Sequence, residues 1–407
     1  MASELLKRSE VKEENTWNVK DMYATQEDWE QELKDISEII DRVAAFEGKA
    51  AENAQNLFTV LENLAKAGEK LDKAYNYAER LFDEDQTNTT HQAMSAKAYS
   101  AYASCGSKTA FVDPEIIAIP ENVLETFYKE VPGLELYRKQ IAEIRRMKEH
   151  CLSSEMEKLL AMTAEMSQTP ADTFSILNNA DLVFPEIQDE NGESVRITHG
   201  RYGQFLQSSD RRVRKEAFEK LYQTYKQFLN TSASLYGGNI KQQVFHAKAR
   251  KYVSSLECAV DANHVSSSVY HNLIDTVNKN LDKMHHYVSL RKKCLGLDEM
   301  HMYDIYTPMI ADAARKVSFE EAKDTVLKAL APLGEDYVNK VKEGFENRWI
   351  DVYENQGKRS GAYSAGAYGC HPYVLLNYNG TLDDMFTLAH EMGHAMHSYY
   401  SNETQPY

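Results

Sequence analysis

Apolar residues recur every three or four positions along most of the chain, which is the spacing of one face of an α-helix. Glu and Lys fill many of the positions between them. Two such runs predict helices over residues 56–82 and 213–228, and Ser318 with Glu321 is typical of a capping box that opens another helix. A further run predicts one helix over residues 269–288, with apolar positions at Val269, Leu273, Val277, Leu281, Met284 and Val288.

Strand signals are few. Residues 182–198 contain two β-prone runs around Asn191-Gly192, a dipeptide that favours a tight hairpin turn, and we interpret them as a surface hairpin between two helical regions. Residues 373–378 form a short apolar run before Asn379-Gly380, which predicts a strand. The segment 359–369 is rich in glycine and is predicted to be a loop. These patterns together predict a mainly α protein, with a small β hairpin or sheet next to the helix that follows residue 380.

Composition excludes some classes of partner. The formal net charge is −16, whereas binding to nucleic acid or to an anionic membrane surface depends on basic patches. No segment approaches the roughly 20 consecutive apolar residues of a membrane span. We therefore expect neither nucleic acid nor membrane as a partner.

The cysteine pattern bears on location. The five cysteines are an odd number and no two have CxxC spacing, which makes a disulfide framework or a cysteine-based zinc site unexpected. The first residues show no apolar run after their charges, unlike a secretory signal. We predict a cytoplasmic protein.

Near residue 390 the chain carries an HExxH pattern formed by His390, Glu391 and His394. On a helix, residues four apart lie about 6 Å apart along the axis and on the same face. Two imidazoles placed so can converge on one zinc ion with bonds of about 2.0–2.1 Å. Glu391 is rotated by about 100° and can reach a metal-bound water without being a ligand, and Gly393 leaves room for another segment. The pattern predicts a zinc site with Glu391 as base.

The surrounding residues support a helix and leave one alternative open. Thr381 can cap it, with Asp383 and Asp384 in its first turn. His397 is too far along the axis to share the metal with His390, so a contact with a ligand or a plain polar contact is expected. The alternative is that His390 and His394 are a structural pair with no metal.

Residues before the helix are candidates for substrate contact. His371 opens the strand that leads to the motif, and the strand itself would pair with extended peptide backbone. We therefore assign a substrate-binding role to His371, Tyr373, Val374 and Leu376. A catalytic pair of Cys370 and His371 is not expected, because adjacent residues on a strand point to opposite faces.

The octapeptide HEMGHAMH (390–397) resembles the HExGHxxH motif of the thimet-oligopeptidase-like zinc endopeptidases. The longer segment 357–407 is most similar to the oligoendopeptidase F branch, and TWNVKDMYATQEDWEQE (16–32) and NADLVFPEIQDENGESVRITHGRY (179–202) resemble it too. The resemblance therefore extends from near residue 16 to the last residue.

The resemblance implies an almost wholly helical body with a deep channel that admits short peptides. It implies one Zn²⁺ ion bound by His390 and His394, with Glu391 as general base. The family's third ligand is a glutamate on a following helix, which would lie beyond Tyr407, so the sequence is expected to stop within the catalytic domain. We predict an N-terminal helical domain over residues 1–198 and the N-terminal part of the catalytic domain over residues 199–407.

The predicted function is that of a zinc-dependent metalloendopeptidase that hydrolyses internal bonds of oligopeptides. A chain of only these 407 residues is expected to bind zinc weakly and to be inactive alone. Glu403 is the only carboxylate side chain after His394, and Asn402 with Pro406 predict that the helix ends before it. The alternative function is a peptide-binding or scaffold protein with a degenerate metal site. An aminopeptidase is a third possibility.

Overall fold

A computed structural model describes residues 5–310 and 315–407. It is 69% helical and contains only small sheets, which confirms the predicted mainly α class. No helix in these two ranges is long and apolar enough to cross a membrane. The helices of the first half are α1 (Gln26–Ala44), α2 (Ala54–Glu84), α3 (Thr89–Thr109), α4 (Val112–Ala118), α5 (Glu121–Glu130), α6 (Arg138–Arg146), α7 (Ser154–Met162) and α8 (Ala164–Ile176).

The long helix α2 organises the first half, and the predicted helix over 56–82 is confirmed within it. One end of α2 packs with α1, α4, α5 and α6 around a core that includes Leu57 and Leu61. The other end packs with α1 and α3 around Trp29 and Ala74. Because an apolar stripe at helical spacing faces the core at both ends, α2 connects two hydrophobic clusters.

The predicted hairpin is confirmed. Strands β1 (Glu186–Gln188) and β2 (Ser194–Arg196) pair antiparallel. The connection is a five-residue loop instead of a tight two-residue turn, and the Asp189 carboxylate accepts hydrogen bonds from the backbone N–H groups of Asn191 and Glu193. Gly192 has φ +81°, which favours glycine.

The middle of the chain is again helical, and the predicted helix over 213–228 is confirmed as α10. The helical pattern over 269–288 is also confirmed, but it is divided at Asn280 between two helices. Its apolar positions, Val269 to Met284, are largely exposed in the described part of the chain. These helices are α9 (His199–Gln207), α10 (Arg211–Gln227), α11 (Leu229–Ala249), α12 (Ser255–Asp261), α13 (Ser267–Lys279) and α14 (Leu281–Cys294).

The last part contains α15 (Phe319–Ala329), α16 (Glu335–Glu346) and α17 (Leu382–Thr404) around strands β3 (Ile350–Asp351), β4 (Tyr363–Ala365) and β5 (Tyr373–Leu375). Ser318 caps α15 as predicted: its Oγ accepts from the N–H of Glu321. Short 3₁₀ or π segments lie at Arg8–Glu10, Glu13–Asn15, Val19–Asp21, Pro132–Tyr137, Met147–Glu149, Leu177–Asp181, Met302–Asp304 and Ala331–Leu333.

The three strands form one sheet in the order β3-β5-β4. β5 is parallel to β3 and antiparallel to β4. The strand predicted at 373–378 is thus confirmed over its first half. The prediction of a loop over 359–369 is wrong at residues 363–365, because Tyr363 pairs with Leu375 and its hydroxyl donates to the Asp83 carboxylate at 2.6 Å.

A buried ion cluster ties this sheet to the beginning of the chain. Asp351 of β3 is fully buried and contacts Lys358 Nζ at 2.6 Å and Arg8 Nη2 at 2.5 Å. Burial alone would raise the pKa of Asp351, but the charges of Lys358 and Arg8 outweigh it and hold that pKa below its usual value. Removing one partner of such a cluster leaves a buried charge without full compensation, which is costly.

We expect Lys358→Met to lower the free energy of unfolding by about 3 kcal/mol. It retains most of the side-chain volume but removes the charge beside Asp351 and the hydrogen bonds from Nζ to the backbone oxygens of Asp351 and Tyr353. The matched control is Lys342→Met. Lys342 is exposed and pairs with Glu346 on the surface of α16, so the control should change stability by less than about 0.5 kcal/mol. Urea unfolding followed by circular dichroism measures both, and equal midpoints for the two variants would contradict the assignment.

Candidate metal centre

The helix that carries the HExxH pattern begins where the sequence predicts. Thr381 caps α17: its Oγ1 accepts from the N–H of Asp384 at 3.0 Å, and the Asp384 carboxylate accepts from the N–H of Thr381 at 2.8 Å. This reciprocal pair satisfies backbone donors that the first turn leaves free. It fixes the register of the helix and therefore the direction of every later side chain.

The two faces of α17 have different environments. Leu388, Met392, Ala395 and Met396 are fully enclosed in a core with α15, α16, β3 and β5. His390 and His394 lie on another face and are exposed. Because the first set is held in the core, rotation of α17 is blocked and the histidines remain directed outward.

The two imidazoles converge. Their Nε2 atoms are 3.1 Å apart, and the ring planes are nearly perpendicular at 85°. Two nitrogen ligands of a tetrahedral zinc ion, each at about 2.0–2.1 Å, lie about 3.4 Å from each other. The pair therefore already has nearly the separation that zinc requires.

Glu391 lies between the histidines in sequence but on the inner side of the helix, where it is 8% exposed. Within residues 5–310 and 315–407 its carboxylate has no hydrogen-bond or ion-pair partner. The Cβ position of Gly393 has no neighbour within 4 Å, which leaves open space beside the two rings.

No third metal ligand joins the pair among the described residues, where no group of three His, Cys, Asp or Glu side chains could hold a metal. The prediction that the helix ends before Glu403 is wrong, because α17 continues to Thr404. Glu403 therefore lies about 13 Å beyond His394 along the axis, and its carboxylate accepts from the Tyr399 hydroxyl at 2.8 Å. The structure thus excludes Glu403 as a ligand of this pair.

The four residues predicted to bind substrate have structural contacts. Tyr373, Val374 and Leu376 are buried in the core, so their side chains cannot contact a peptide in this structure. Burial also raises the pKa of Tyr373, whose hydroxyl donates to the backbone oxygen of Asn18. His371 is only partly buried: its ring stacks on Trp349, and its Nε2 lies 3.0 Å from the Asp21 carboxylate. Its substrate role stays a prediction.

The predicted pairing of a peptide with β5 is wrong over residues 373–375, since β5 has a neighbour on each side. β3 and β4 are the two edge strands of this sheet, and β4 also contacts α17. The backbone of Tyr363–Ala365 has no partner other than β5 in the described ranges. Sequence reasoning missed this edge because glycines surround it. The signal for it was Tyr363, a β-prone aromatic residue, and its side chain is partly buried against the core that includes Trp29.

Comparison with known proteins gives a consistent result. The model of peptidase family M3 matches residues 204–407, and the oligopeptidase F model matches residues 115–184. The chain is 46% identical to oligopeptidase PepF of Bacillus subtilis, over 100% of this chain and 61% of that protein. It is 40% identical to group B oligopeptidase PepB of Streptococcus agalactiae, over 98% of this chain and 66% of that protein.

A solved structure shows the same architecture. The crystal structure of oligoendopeptidase-F from Enterococcus faecium superposes with a TM-score of 0.72 at 36% identity, covering 92% of this chain and 63% of that one. The chain thus spans about three-fifths to two-thirds of the length of these relatives. A family model covers half of the chain, and the relatives match it from end to end. The resemblance seen in the sequence is confirmed, and the chain belongs to peptidase family M3, with oligoendopeptidase F among its relatives.

Proposed function

We propose that the protein is a zinc-dependent endopeptidase that hydrolyses internal bonds of oligopeptides, with His390 and His394 as zinc ligands and Glu391 as general base. The observation that carries the proposal is the convergence of the two Nε2 atoms at 3.1 Å on the exposed face of α17. The family supports it, because relatives matched over nearly the whole chain are described as oligopeptidases. A third protein ligand would come from outside the described residues.

The chain supplies the proton transfer. Zinc, when bound, polarises the scissile carbonyl and lowers the pKa of its water towards 7. Glu391 accepts the proton of the attacking water and returns it to the amine nitrogen as the C–N bond breaks. Its carboxylate suits this role because no hydrogen bond or ion pair to another described side chain holds it.

Peptides would be bound in extended form along β4. An edge strand offers backbone N–H and C=O groups to any extended peptide, which gives affinity with little dependence on sequence. Short peptides are therefore the proposed partners.

A cytoplasmic location is supported by five cysteines that are all free thiols. The boundary between residues 198 and 199 remains a proposal, with its support in the two family models, which match on either side of it.

The alternative of a peptide-binding or scaffold protein with a degenerate metal site is not favoured by the relatives. It makes a different experimental claim, because such a protein would bind peptides and leave them intact. The next three experiments use the protein expressed to its natural stop codon.

We expect His390→Ala and His394→Ala to lose zinc, because each removes one of the two convergent nitrogens. Glu403→Gln is the matched control: it changes a side chain on the same helix that the geometry excludes from the metal. Metal analysis after dialysis should find zinc in the control and in the parent protein. A full zinc complement in either histidine variant would remove that residue from the ligand set.

Glu391→Gln should retain zinc and lose most of its activity, by about 10²-fold or more, because the amide fills the same space and cannot accept a proton. Initial rates on an internally quenched peptide, normalised to zinc content, measure the effect. Near-normal turnover would exclude Glu391 as the base.

Peptides blocked at the N-terminus should be cleaved at internal bonds, whereas a stable globular protein should remain intact, because pairing with β4 needs an extended backbone. Mass spectrometry of the products locates the cleaved bonds. Removal of single residues from unblocked N-termini alone would identify an aminopeptidase, and rapid digestion of the folded protein would contradict the proposed substrate class.

A further inference from the structure

A groove with a volume of about 290 Å³ reaches along α17 as far as Thr387, three residues before His390. Its walls are α9, residues 361–362, the loop 376–379 and the first turns of α17. We call it the α9 groove. We propose that the α9 groove binds the peptide residues two to three positions away from the cleaved bond. This inference deepens the proposed function and rests on it.

The α9 groove and the histidines share one face of α17. Asp383 and Thr387 line the groove, and His390 and His394 follow them at spacings of three and four residues, which keeps all four on one side of the helix. Thr387 and Asp383 lie about 4.5 and 10 Å before His390 along the axis. An extended peptide advances about 3.3–3.6 Å per residue. Its second and third residues from the metal therefore reach the groove.

The α9 groove also continues the open edge of the sheet. Gly361 and Ala362 line it and directly precede β4, the strand whose outer edge has no partner in the described ranges. A peptide that pairs with Tyr363–Ala365 and stays extended must pass this end of β4. Beyond the edge of the sheet, such a peptide would lie between α9 and α17.

Asn377 holds part of the groove wall in place. Its Nδ2 donates to the backbone oxygens of Arg359 at 3.0 Å and Gly361 at 2.7 Å, which fixes the orientation of the amide. These two hydrogen bonds join the loop 376–379 to the residues that precede β4, so this wall is formed before a peptide binds.

The charge of the lining favours one kind of peptide. Its described residues include the carboxylates of Asp383 and Asp384 and no lysine or arginine. Asp384 is held by the cap of α17, whereas Asp383 is exposed and has no ion pair in the described ranges. His199 stays neutral, since burial lowers its pKa. The groove therefore accepts neutral or basic residues better than acidic ones.

Gly203 allows the groove to be filled without disturbing the fold. It lies in α9, lines the groove, and has no atom within 4 Å of an added Cβ. Leucine is also a better helix former than glycine. The matched control is Gly237→Leu, since Gly237 lies in α11, outside the groove, with equally open space at its Cβ.

The test compares Gly203→Leu with Gly237→Leu on two N-blocked peptides, with one or with four residues on each side of the cleaved bond, so that only the longer peptide has residues at the second and third positions. We expect Gly203→Leu to lower kcat/KM for the longer peptide about tenfold, as for a loss of 1.4 kcal/mol of binding, mainly through KM, and to leave the shorter peptide within about twofold. The control should behave as the parent protein does. Equal losses on both peptides, or none, would overturn the proposal.

Binding is measured separately so that the groove and the proposed function can fail independently. The probe is the longer peptide carrying a fluorophore, titrated into Glu391→Gln with and without Gly203→Leu. Weaker binding in the double variant supports the groove even if the protein cleaves nothing, in which case the proposed function fails alone. Cleavage by the parent protein with unchanged binding in the double variant would overturn the groove and leave the proposed function standing.

Discussion

Leu388, Met392, Ala395 and Met396 pack into the core beneath α17, and the position of the candidate site depends on this contact. A helix cannot turn about its axis when one face is enclosed by side chains from two helices and two strands. The opposite face is thereby fixed, with the two imidazole Nε2 atoms 3.1 Å apart. The proposed zinc site would need ligands that are held in position before the metal binds, and the packing of α17 supplies that order.

The sheet beneath α17 depends on charges from distant parts of the chain. Asp351 of β3 is enclosed by Lys358 and by Arg8 from the beginning of the chain, while Tyr363 of β4 donates to Asp83 of α2. Buried charges are tolerated when each finds a partner with good geometry. These contacts hold β5 at the centre of the sheet and leave β4 at the edge, beside α17. The same interactions that stabilise the sheet thus determine that β4 is the strand beside α17, which is where we propose that a peptide pairs.

Much of this arrangement is visible in the sequence because it is local. Helical spacing predicted α2 and α10, and Thr381 with Asp384 marked the start of α17 within a residue. The HExxH spacing alone placed His390 and His394 on one face. Local patterns were misleading where contacts between distant residues determine the structure. β4 forms in a glycine-rich segment, where the Tyr363 hydroxyl donates a hydrogen bond to Asp83. β5 lies at the centre of the sheet because β3 and β4 both pair with it. The break at Asn280 and the continuation of α17 past Asn402 likewise have no clear local signal.

X-ray absorption at the zinc edge of the metal-loaded protein, expressed to its natural stop codon, tests the central claim most directly. We expect scattering from two imidazole rings, with nitrogens at about 2.0–2.1 Å from zinc, and oxygen as the other ligand atoms. In His394→Ala the scattering contribution of one of these rings should be lost. A sulfur ligand at about 2.3 Å, or a spectrum that His394→Ala leaves unchanged, would show that the metal binds elsewhere and would contradict the account.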